Sequence, residues 1–128
     1  MLAMSTPAPA AHAIIAVNVV GDQVASGLGR ARTMAVAAVG DGEVTSWEVV
    51  EVGWDALHGQ GAEGTHHARI VRFMREHHVD AAVTGHMGAP MLNTMQKLGV
   101  VPLVGAAGDA RAACLEAAEV VAALRRPD

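Results

Sequence analysis

The chain has 128 residues, 52% of them hydrophobic and 17% charged, which suits one compact domain with a real core and excludes a largely disordered chain. A formal net charge of −4, with two Trp, one Phe and no Tyr, leaves neither the basic stripe nor the stacking platforms of a general nucleic-acid binder. The single cysteine, Cys114, excludes an internal disulfide and any cluster held by several of the chain's own thiolates, and it suits a reducing cytoplasm.

Residues 1–12 are rich in Ala, Pro, Ser and Thr, carry no periodicity and read as a disordered tail; they show no signal-peptide pattern. Order is expected over 13–126 as one α/β domain. The run 13–20 is β-branched and reads as a buried strand. It is far shorter than the roughly 20 apolar residues that span a bilayer, so no membrane is expected. Residues 33–39 form a second strand, and Gly40-Asp41-Gly42 signals a hairpin into a third, half-exposed strand over 43–52. A polar, Gly-rich connection covers 53–64. Thr65 is a candidate N-cap for a helix over 65–78, with Ile70, Phe73, Met74 and His77 at helical spacing. A short strand, 80–84, leads through Gly85-His-Met-Gly88 into a helix that Pro90 can open and Gly99 can end. The last strand is 100–104, and Asp109 caps a C-terminal helix with Cys114, Ala117, Ala118, Val121 and Leu124 as its buried stripe. The resulting order, β-β-β-α-β-α-β-α, predicts a mixed five-stranded sheet with helices on its faces.

Three stretches together resemble the dinitrogenase iron–molybdenum cofactor biosynthesis family. They are 24–31, ending in Gly29-Arg30-Ala31; Val79-Asp80-Ala-Ala-Val-Thr-Gly85 leading to Gly88; and Leu98-Gly99-Val100. The resemblance spans roughly residues 13–124. It implies a ribonuclease-H-like fold and a non-catalytic protein that binds iron–molybdenum cofactor, its precursors, or molybdenum–copper sulfide clusters, with cluster donor and acceptor proteins as partners. Two positions depart from the family pattern. Gly27 and Leu28 stand where relatives carry a loop histidine and an aromatic neighbour, and His86 replaces the second glycine of a Gly-Gly-x-Gly turn.

Seven histidines occur, and topology sorts them. Ligands gather at the carboxyl ends of parallel strands. His86 lies just past the strand 80–84. The preceding helix runs antiparallel to that strand, so its N-terminus, with His66 and His67, falls on the same rim. The loop 18–30 opens there too, and His58 leads in from the Gly-rich connection. A helix N-terminus disfavours a protonated ring, and metals bind the neutral imidazole. The expected metal ligands are therefore His86, His67, His66 and His58, converging on one edge. Asn18, Gly27, Gly29 and Arg30 of the loop, and Gly85, Met87 and Gly88 of the turn, are the expected cluster contacts, with Arg30 and the helix N-termini attracting an anionic sulfide. The bound species is either such a cluster or a single transition-metal ion.

Blander readings compete at each position. Adjacent His66 and His67 point about 100° apart on a helix. His77 and His78 suit capping and packing, and His12 is incidental. Met87, Met91 and Met95 form a stripe better explained by packing, although Met87 at the turn could serve copper(I). Two-metal nuclease chemistry needs a carboxylate on the first strand, which offers only Asn18. Gly27-Leu-Gly29 is a fragment of a dinucleotide motif with Arg32 where the third glycine belongs. A histidine-bound hydrolytic ion and a metal-free interaction module stay as alternatives.

Overall fold

The computed structural model describes residues 12–57 and 63–126. The run 13–20 becomes strand β1 (Ala13–Val20), buried along most of its length at the centre of the sheet. β-Branched residues suit a strand packed on both faces. Gly21, at φ 60°, turns the chain back into a two-residue strand β2 (Gln23–Val24), which pairs antiparallel with the end of β1. After a 3-10 turn (Leu28–Arg30) come β3 (Thr33–Gly40) and β4 (Glu43–Glu51). Asp41 and Gly42 both have positive φ, 55° and 77°, the signature of a two-residue hairpin whose twist matches its strands. β4 is the exposed edge; Val49, for example, is 54% exposed.

The Gly-rich connection holds an unanticipated short helix, α1 (Trp54–Leu57), anchored by buried Trp54. Helix α2 (Glu63–Glu76) starts two residues before Thr65, so Thr65 lies inside its first turn and is not the N-cap. The helix ends at Glu76 because His78 takes the left-handed conformation, φ 54°. The amides of His78 and Val79 then donate to the carbonyls of Arg75 and Met74. β5 (Ala81–Val83), α3 (Ala89–Leu98), β6 (Val101–Leu103) and α4 (Ala110–Arg125) complete the chain. Gly99, at φ 79°, closes α3, and the Asp109 carboxylate caps α4 by accepting from the Ala112 amide at 2.9 Å.

The strand order is β4-β3-β1-β5-β6, with β2 beside β1. β1–β3 and β3–β4 are antiparallel, whereas β1–β5 and β5–β6 are parallel. The sheet is mixed, as expected, but has six strands and not five. The addition is Gln23–Val24, too short to show an alternation of its own.

Alternation splits the core. Ile15, Val17 and Val19 face α4, where Cys114, Ala117 and Val121 allow close approach; Ala16 and Met34 face Ile70, Phe73, Met74 and Met95 of α2 and α3. Leu124 is 67% exposed, so the buried stripe of α4 ends at Val121, a turn earlier than the pattern suggests. Among the described residues, no helix is long and apolar enough to cross a membrane.

Candidate metal centre

Because β1 and β5 run parallel, the segments after them leave the sheet at one rim and meet there. Three amides join the two segments. Gly85 donates to the Ala25 carbonyl at 3.0 Å, His86 to the Ser26 carbonyl, and Leu28 to the His86 carbonyl at 3.1 Å. Gly85 is required by proximity: a Cβ there would stand 2.9 Å from the Ser26 carbonyl oxygen and 3.0 Å from its Cα. Beneath this seam lies a buried polar couple. Asn18 Nδ2 donates to Thr84 Oγ1 at 3.1 Å, and that hydroxyl is 3.3 Å from both the Ser26 and His86 carbonyls. Asn18 and Thr84 are both 0% exposed, and Asn18 Oδ1 has no hydrogen-bond partner among the described residues.

The two joined segments form walls of a cleft of about 160 Å³ whose lining includes Gly29, His66, His67, Met87, Gly88 and Met91. The fourth and fifth residues of α2 thus bring both imidazoles to the rim. His66 Nε2 lies 2.7 Å from the Gly29 carbonyl, which only accepts, so this nitrogen carries a hydrogen. His67 Nε2 lies 2.8 Å from Thr94 Oγ1, whose own proton goes to the Pro90 carbonyl at 3.0 Å. His67 must therefore donate through Nε2, and its neutral ring keeps the lone pair on Nδ1. Fixing one ring nitrogen on a protein acceptor is how metal-binding imidazoles are oriented.

The profile of a family described as "dinitrogenase iron-molybdenum cofactor" matches residues 11–120. The chain belongs to that family. Solved structures agree on the fold. PH0822 superposes with a TM-score of 0.61 at 19% identity, covering 87% of each chain. TM1290, a NifB candidate from Thermotoga, gives 0.56 at 21% identity, covering 89% of this chain and 90% of its own. MJ0327, a dinitrogenase candidate from Methanocaldococcus jannaschii, gives 0.53 at 14%, covering 86% and 88%. No curated protein matches the chain.

Within this iron–molybdenum cofactor family member, the expected residues separate into distinct places. His66 and His67 share the cleft with Gly29, Met87 and Gly88. His86 does not line it: its backbone closes the seam, pairing with Gly27, while its side chain is exposed. Among the described residues, no three of His, Cys, Asp and Glu stand close enough to hold one metal ion, so His66, His67 and His86 do not make a three-histidine set. His58 lies outside the described residues, as does most of the expected tail; His12, at its end, has its ring against Gly40. Arg30 ends the 3-10 turn with an exposed side chain. Asn18, expected to contact the cargo, is instead sealed beneath the rim, because its position on β1 faces the α2–α3 layer.

Thr84 and Thr94 carry structural weight that the sequence reading missed. Thr84 had a signal, a hydroxyl ending an apolar strand, whereas Thr94 had none. Leu28, in the loop after β2, is a core residue. Cys114 belongs to the α4 side of the sheet, away from the cleft, and burial pushes its thiol up to about 11.

Proposed function

We propose that the chain carries a metal or metal–sulfur cluster during iron–molybdenum cofactor assembly without catalysing a reaction, with the cargo seated at the rim cleft. The observation that carries this reading is the pair of imidazoles, His66 and His67, each tethered through Nε2 in one cleft at the carboxyl edge of the sheet. Membership of the family supports the cargo class and implies donor and acceptor proteins as partners. Among the described residues, none that lines the cleft carries a carboxylate, which weighs against a hydrolytic ion, since that needs a general base beside its water. The antiparallel set β1–β3–β4 continuing into parallel β5 and β6 supports a ribonuclease-H-like fold. The free cysteine, buried and held as a thiol, supports residence in a reducing cytoplasm.

The test is an untagged, anaerobic preparation analysed for molybdenum, iron, copper and zinc together with its absorbance spectrum. Stoichiometric metal that is lost in His66→Ala/His67→Ala supports carriage. A metal-free chain that takes up neither metal ions nor a soluble thiomolybdate overturns it and leaves the interaction module.

A further inference from the structure

We infer that the rim cleft is built for a monovalent soft ion, copper(I), held by His67 Nδ1 and the thioethers of Met87 and Met91. This rests on the carrier reading and specifies what the site selects. Of the three methionines spaced four apart, Met95 is fully buried, Met87 belongs to the same core cluster but borders the cleft, and half-buried Met91 lines it together with His67. What joins them is the cleft that all three line. The bond from His67 Nε2 to Thr94 anchors the imidazole beside α3, and Met91 stands three residues before Thr94 on that helix. Met87 precedes Met91 by four residues, just ahead of the N-cap Gly88. The Thr94–Pro90 bond fixes the His67 tautomer, so the nitrogen with the lone pair is Nδ1.

The donor chemistry then chooses the ion. One imidazole and two thioethers are neutral and soft, and thioether sulfur favours copper(I) over zinc, iron(II) or nickel. Zinc wants about four nitrogen, thiolate or carboxylate donors, and the described residues bring no three such groups together. Charge points the same way. Desolvating an ion costs in proportion to the square of its charge, so a divalent ion among neutral ligands pays about four times the penalty of a monovalent one. The apolar walls, Leu28 and Ile70, make that difference count. A polynuclear iron cluster would ordinarily demand thiolates, and the cysteine of this chain is on the other face of the sheet.

The test is anaerobic copper(I) titration against a colorimetric copper(I) chelator, with copper-edge absorption spectroscopy, on wild type, His67→Ala and Met87→Leu/Met91→Leu. Leucine keeps the apolar packing and removes only sulfur. The expected result is one copper(I) per chain with mixed nitrogen and sulfur scattering. The leucine double variant should lose affinity on the order of 100-fold while its apo form melts as the wild type does. Unchanged copper(I) affinity in that variant, or displacement of copper(I) by one equivalent of zinc, overturns the inference. Uptake of a thiomolybdate without copper(I) also overturns it but leaves the carrier reading standing. Uptake of neither removes both.

Discussion

The sharpest test of the rim is the buried couple Asn18–Thr84, because the two partners should respond to truncation in opposite ways. The Asn18 side chain makes one bond among the described residues, to Thr84, and leaves Oδ1 buried without a partner there. Asn18→Val removes that bond, worth about 1 kcal/mol, but also removes an unpaired carbonyl whose burial costs about 1–3 kcal/mol. The balance is neutral to about 1 kcal/mol stabilising, and a β-branched residue suits a central strand. Thr84→Val does the reverse: it strands Asn18 Nδ2 as well, so both amide atoms are buried unpaired at a cost of about 1–3 kcal/mol. The double variant has neither group, so it should be more stable than Thr84→Val, and by more than Asn18→Val alone exceeds wild type, giving a coupling of about 1 kcal/mol. Urea denaturation followed by circular dichroism measures all four corners of the cycle. Because Thr84 Oγ1 also faces the Ser26 and His86 carbonyls, Thr84→Val should speed amide exchange at Leu28 and His86, whereas Asn18→Val should not. Destabilisation of more than about 2 kcal/mol by Asn18→Val would refute the reasoning, since it would mean that Oδ1 is satisfied in the native protein.

Gly85→Ala should destabilise by about 1–3 kcal/mol and weaken metal retention, because its Cβ meets Ser26 backbone and not a movable side chain; thermal melts and elemental analysis read both. His78→Gly should stabilise by about 1 kcal/mol in urea denaturation, since a left-handed residue with φ 54° is more easily accommodated without a Cβ. The Cys114 thiol, raised from 9.0 to about 11, is neutral in the fold where an unfolded thiol would already ionise. Its contribution is therefore fully present below about pH 9 and is lost as pH rises toward 11, by roughly 2–3 kcal/mol at most. Denaturation across that range should show the loss in wild type and not in Cys114→Ala.

The sheet and its helices were legible because local signals and tertiary packing agree. The β-branched run 13–20, the turn Asp41-Gly42, Gly99 after α3 and Asp109 before α4 each demand a conformation that the fold supplies. Where a signal was ambiguous, packing decided. Thr65 is a good cap, yet α2 begins two residues earlier. His78 enters the left-handed region less readily than a glycine would, yet it ends α2 there, with the Val79 amide donating to the Met74 carbonyl behind it. β2 has only two residues, and a period of two cannot be seen in two residues.

The site was legible as a rim but not as a set of ligands, and the reason is directional. Topology places the end of β1, the turn after β5 and the start of α2 at one edge, and sequence order is enough to say so. Which side chain then enters the cleft depends on hydrogen bonds between residues far apart in the chain: His66 with Gly29, His67 with Thr94, Asn18 with Thr84. The turn 85–88 shows how little separates the outcomes. His86 gives its backbone to the seam and its ring to solvent, whereas the next residue, Met87, enters the cleft. Counting imidazoles by edge therefore includes His86, whose ring is exposed outside the cleft, and leaves out Met91, which lines it. A seam fixed by backbone amides can hold the two walls together whatever the exposed ring at position 86 does, so the rim depends on the chain path through 25–28 and 85–86 and not on the side chain at 86.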